Sequence, residues 1–261
     1  MSDDFVRKIS EINSELFDNY EFGDTEKLNG EIAKPATIKP NDKGSYLIIN
    51  LNPSNLIGEN EVNDKSLLVI PKGHSLGLKK FLQKNAITFD SFFSKGLGLF
   101  SNQKVRLFWS TEEKYLDYVL SFDCGEHRKE IIKMFEEQKK INHSILVFSE
   151  LFYQHDKTAK NIEKHLNQFD IKNVRKKVKE IIDLYITYYN PRIIIVTNGY
   201  ASKLIFSSIQ DDVFTLNTDK IKYKGIDILF SSMLTGQRAL DTGSYYRLQR
   251  EIDSTINANK K

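Results

Sequence analysis

The chain is poor in several things that would narrow its function at once. It has one cysteine, Cys124, among 261 residues. That excludes an intrachain disulfide, a cysteine-rich zinc site and an iron–sulfur cluster held by four thiolates of this chain, and a reducing cytoplasmic setting is the expectation. Apolar runs are short. None approaches the length of a membrane span, and the start Met1-Ser2-Asp3-Asp4 lacks the basic-then-apolar order of a signal peptide, so no membrane partner is expected. The charge excess is small: 38 Lys and Arg against 35 Asp and Glu leave a net +3, which permits an anionic partner such as DNA without demanding one. His74, His127, His143, His155 and His165 show no metal-ligand spacing beyond His155 beside Asp156, so neither metal nor cofactor is expected. Lys72-Gly73-His74 and Gly96-Leu97-Gly98 lack the full phosphate-loop pattern, and there is no Gly-x-Ser-x-Gly elbow.

What the chain does have is 40% hydrophobic residues, enough for a substantial core, and no internal repeat. Phe5, Ile9, Ile12, Leu16 and Phe17 recur at helical spacing behind an acidic start, which predicts a helix over about residues 3–19. Four apolar runs rich in β-branched residues then read as buried strands: Tyr46–Ile49, Ser144–Ser149, Arg192–Thr197 and Ile226–Phe230. Helical patterns cover about 124–140, 158–189 and 200–208 and a final helix carrying Leu240, Leu248, Ile252 and Ile256, while 213–216 and 220–224 suggest a hairpin around Asn217-Thr218-Asp219. Arg175-Lys176-Lys177-Val178-Lys179 reads as a solvated helix face, with DNA contact the minority reading. Residues from about 55 to 143 form an insertion whose elements the pattern leaves largely open. Strands alternating with helices predict one α/β domain over 1–261, a three-layer α/β/α arrangement around a mainly parallel four-stranded sheet.

The strand ends carry the polar residues. The first runs into Asn50-Leu51-Asn52-Pro53-Ser54, the second ends in Ser149-Glu150, the third in Thr197-Asn198-Gly199, and the fourth in Ser231-Ser232-Met233-Leu234-Thr235-Gly236-Gln237-Arg238. In a parallel sheet these ends share one edge, where α/β proteins bind ligands. Each also has a plainer reading: Asn52-Pro53 and Asn198-Gly199 as turns, Ser231 and Ser232 as helix caps, and Met233, Leu234, Phe100 and Trp109 as packing residues.

On the Asn52-Pro53-Ser54 turn after the first strand, and on the Ser/Met/Leu/Gly loop before the last helix, the chain resembles the uracil-DNA glycosylase superfamily, in its mismatch-specific and single-strand-selective branches. The matching segments span about residues 45–256. The resemblance implies a uracil-DNA glycosylase-like fold, a monomer without cofactor, and hydrolysis of the N-glycosidic bond of a flipped uracil or modified base in DNA. It gives Asn52 the attacking water and Ser231 or Ser232 the stabilisation of the departing base. Asn50, Pro53, Ser54 and Asn198 would line the base pocket, with Phe100 or Trp109 as the stacking ring. Met233 or Leu234 would be the wedge, and Gly236, Gln237 and Arg238 would meet the DNA backbone. The departures are Asn50 where the family has Gly, no Asp general base in the first motif, and no His or Asn in the second. Two other functions follow from the same edge: a relative that binds modified DNA or a nucleotide without cutting, and a hydrolase of free nucleosides or nucleotides.

Overall fold

The computed structural model describes residues 2–20, 44–51, 95–96, 98–103, 105–108, 128–130, 132–133, 144–154, 156, 159–210, 220–234 and 239–259. The turn of the predicted hairpin, around Asn217, lies outside these residues, as does the helix that the sequence pattern suggests over 78–84.

The first buried run forms β1 (Ser45–Asn50), and the second and third form β3 (Ser144–Glu150) and β4 (Pro191–Val196). The fourth forms β6 (Ile226–Phe230). Two strands join them: β2 (Val105–Phe108), within the 55–143 insertion whose elements the sequence pattern left open, and β5 (Lys220–Tyr223). The sheet order is β2-β3-β1-β4-β6-β5, parallel throughout except for the β5–β6 pair. Among the described residues the sheet has six strands where four buried ones and a hairpin were expected. The sequence pattern missed β2 because four residues give too short a signal, while β5 falls on the second arm of the expected hairpin, 220–224. The turn that joins β5 to β6 is Lys224-Gly225, with φ of 48° and 82°, the pair of left-handed residues that a two-residue hairpin turn requires.

Both faces of the sheet are covered. Odd-numbered residues of β1 and β3, such as Leu47, Ile49 and Val147, enter a core shared with α1 (Ser2–Phe17), α2 (Ala159–Leu166), α3 (Ile171–Tyr189) and α4 (Gly199–Ile209). Even-numbered ones, such as Tyr46, Ile48, Leu146 and Phe148, enter a second core with Leu99, Phe100 and the inner side of α5 (Thr242–Ala258). Leu47, Ile48, Ile194 and Ile195 have no accessible surface. Burying such side chains, at about 1.5–3 kcal/mol each, makes these near-continuous apolar strands the centre of the domain.

The helical stretch predicted over 158–189 is two helices. Asp170 ends the link between them by accepting from the Lys172 amide at 3.1 Å, capping α3, and Asn190 closes α3 in the left-handed conformation just before Pro191 opens β4. The basic run on α3 is only partly a solvated face: Val178 is fully buried and the Lys177 ammonium reaches Glu15 of α1 at 2.6 Å. Helix α1 docks by stacking Phe5 on Tyr188, with ring centroids 3.9 Å apart, and by His165 Nε2 donating to the Leu16 carbonyl at 2.7 Å.

Candidate functional site

The chain runs from β1 toward the β3 side of the sheet and from β4 toward the β6 side, so the connections diverge between β1 and β4. That divergence opens a crevice at the carboxyl edge, and four polar residues meet there. Asn50 pairs in register with Glu150. On its other side the ladder continues beyond β4, with the Thr197 amide donating to the Ile49 carbonyl at 2.9 Å and the Ser231 amide to the Val196 carbonyl at 2.8 Å. Glu150, Asn50, Thr197 and Ser231 therefore form one row across four adjacent strands. By the alternation of the pleat, all four lie on the α5 side of the sheet. Neighbouring strands are about 4.8 Å apart, so Asn50 and Ser231 are separated by about 10 Å, within the reach of a single nucleotide.

Glu150 is the group in this row with unusual chemistry, and no sequence motif pointed to it. The Asn50 side chain hydrogen-bonds its carboxyl, while Oε2 is buried with no hydrogen-bond partner among the described residues. The residue as a whole keeps partial exposure, while the carboxyl itself is desolvated. Burial pushes its pKa up to about 8, against the lowering effect of the Asn50 amide. Near neutral pH the acid is mostly protonated, a donor as well as an acceptor. A carboxyl tuned into this range suits proton transfer to and from a reacting group.

The backbone behind Glu150 is held from the opposite face. Ser149 Oγ and Tyr153 OH are 2.7 Å apart, Tyr153 OH and Tyr185 OH 3.1 Å, and Tyr185 OH donates to the Glu150 main-chain carbonyl. Burial raises the Tyr153 hydroxyl to about 12 and the Tyr185 hydroxyl well above the usual phenol range, so both stay protonated and the chain of hydrogen bonds persists. The Tyr153 amide donates to Asn13 Oδ1 at 2.8 Å, tying α1 to the same corner.

Several residues named from the sequence have other places. Phe100 is fully buried and stacks on Tyr46, with centroids 4.9 Å apart, so it is a packing residue and cannot receive a base. Leu234 is buried in the same core and is unavailable as a wedge, whereas Met233 is exposed beside it. Asn198 is buried and caps α4, its Oδ1 accepting from the Tyr200 and Ala201 amides at 2.9 and 3.1 Å, so that oxygen cannot read a base edge. Ser231 is half-buried and Ser232 exposed at the rim. Neither caps the last helix, a task taken by Asp241, which accepts from the Ser244 amide at 2.8 Å. Asn52, Pro53, Ser54, Trp109, Gly236, Gln237 and Arg238 lie outside the described residues. The chain reaches the first three directly from Asn50 and Leu51.

Among the described residues, no group of three His, Cys, Asp or Glu side chains is placed to hold a metal ion, and no helix is long and apolar enough to cross a membrane. A separate groove between α1 and α3, bordered by Lys8, Glu11, Glu15 and Lys177, has charges that answer one another and offers no comparable chemistry. Compared with models of known families and with curated proteins, the chain finds no match.

Proposed function

We propose that this chain is a uracil-DNA glycosylase-like hydrolase that releases a base from DNA by cleaving its N-glycosidic bond. The observation that carries the reading is the row Glu150, Asn50, Thr197 and Ser231 at the sheet's carboxyl edge, on one face, with Asn52-Pro53-Ser54 following in the sequence directly after Leu51. Cleavage builds positive charge on the sugar and negative charge on the departing base. A protonated Glu150 carboxyl gives its proton to the leaving base, water adds to the sugar carbon, and the proton that water loses returns to Glu150. Asn52 holds that water, Asn50 fixes the carboxyl, and Ser231 and Ser232 stabilise charge on the base. Glu150 thereby fills the place of the acidic group that the first motif lacks.

The test is to incubate the protein with oligonucleotides carrying uracil, deaminated purines or modified cytosines and to look for abasic product. Release by the wild type, reduced about 100-fold or more in Glu150→Gln and Asn52→Ala, is the expected result. No product on any substrate, or variants as active as the wild type, refutes it. Binding of the modified strand without product selects the non-cutting relative instead, and release of base from free nucleosides alone selects the small-molecule hydrolase.

A further inference from the structure

Helix α5 starts at the rim on the same side of the sheet as the polar row, reached through the loop in which the Leu240 amide donates to the Met233 carbonyl at 2.9 Å. Its inner side is spent on the core through Leu248, Ile252 and Ile256. Its outer side carries Tyr246, 53% exposed, with the exposed Arg247 and Arg250. Neither arginine forms an ion pair among the described residues. The nearby carboxylates are engaged: Glu251 takes Lys220, Asp253 takes Asn102 and Gln103, and Asp241 caps the helix.

Both guanidinium groups are drawn back toward the start of the helix. Arg247 Nη2 donates to Ser244 Oγ at 2.7 Å, and Arg250 Nε to the Tyr246 carbonyl at 3.4 Å. This is the direction in which helical side chains lean, and here it points both cations at the rim. They stand nearly one turn apart, about 4.5 Å along the axis, with the exposed Tyr246 immediately before Arg247. Two exposed planar cations outside any direct ion pair among the described residues, Arg247 within electrostatic reach of Asp241, and an exposed ring set edge-on to Tyr245 at 6.0 Å between centroids match the chemistry of a nucleic-acid strand, with guanidinium on phosphate and ring on base.

We propose that the Tyr246, Arg247 and Arg250 face of α5 is the track for a single nucleic-acid strand running past the crevice. The proposal rests on the reading of that crevice as a base site, and it names the path by which the strand arrives. Arg247 and Arg250 hold neighbouring phosphates and Tyr246 stacks on a base next to the one in the crevice.

The test is fluorescence anisotropy of the full chain with a labelled, mixed-sequence single-stranded oligonucleotide over a range of salt. Removing two phosphate contacts in the Arg247→Ala/Arg250→Ala variant should weaken binding at least tenfold and reduce the slope of log affinity against log salt by about 1.4. Tyr246→Ala should weaken binding by about tenfold with the slope unchanged. Lys172→Ala/Lys176→Ala on α3 removes the same charge from the other side of the sheet and should change neither quantity by as much. Thermal melting of each variant confirms that the fold is kept. No binding by the wild type, an unchanged slope in the arginine variant, or an equal loss in the α3 variant overturns the proposal. So does polyglutamate competing as well as the oligonucleotide at equal charge, which would assign the face to an acidic protein segment. Failure of base release with these binding results intact ends the excision reading and leaves the track standing. Base release from an oligonucleotide at full rate in the arginine variant overturns the track alone.

Discussion

Replacing Glu150 by glutamine should make the protein more stable in alkaline buffer and leave it nearly unchanged in acid. The carboxyl has an ordinary pKa of 4.5 when the chain is unfolded and is pushed up to about 8 by burial in the folded protein. Between these values the folded state holds a proton that the unfolded state has released, so stability falls as pH rises. The contribution is whole below 4.5 and is lost progressively up to about 8, above which the folded protein carries a poorly solvated carboxylate. At about 1.36 kcal/mol per pH unit the full difference caps the cost at about 5 kcal/mol, and relaxation of a residue that keeps some contact with water brings the expected value to about 2–4 kcal/mol. Glutamine keeps the shape and an acceptor for Asn50 but cannot ionise. Urea denaturation of wild type and Glu150→Gln, measured from about pH 4.5 to 9, should give curves that nearly coincide at the acid end and separate by those 2–4 kcal/mol at the alkaline end. Parallel curves would show that Glu150 titrates as an ordinary carboxylate, and with that both its placement and its assignment as the proton donor would fall.

Two further outcomes follow from the same corner. Asn198→Ala removes the acceptor for two α4 amides and should cost about 1 kcal/mol in urea denaturation, while Asn198→Asp retains the acceptor and should cost much less; equal losses would deny the capping role. Tyr185→Phe deletes the hydroxyl that serves Tyr153 and the Glu150 carbonyl, and should cost about 1–3 kcal/mol with slowed base release from the active wild-type substrate, whereas an unchanged denaturation midpoint would remove this hydrogen-bond chain from the account.

How much of the site was legible in the sequence depends on the residue. Asn50 and Ser231 stood out because a polar residue directly after a β-branched run marks a strand's end, and parallel strands bring such ends to one edge. Glu150 stood at an equally visible strand end and still passed as ordinary, since a carboxylate after a strand is a common surface residue. Its character comes from Asn50 beside it and from burial of Oε2, neither of which is local. Phe100 and Leu234 illustrate the converse. An aromatic and an aliphatic residue near a site are read as stacking ring and wedge until the packing around Tyr46 and Ile252 claims them.

The sequence by itself determined that this is an α/β chain with four buried parallel strands and polar strand ends, because apolar runs must leave water and their period sets how they do so. Only the tertiary structure decided the strand order, the edge strand β2, the partner of Asn50 and the burial that raises the pKa of Glu150. Those depend on which distant segments exclude water from one another, and a linear pattern carries no record of that.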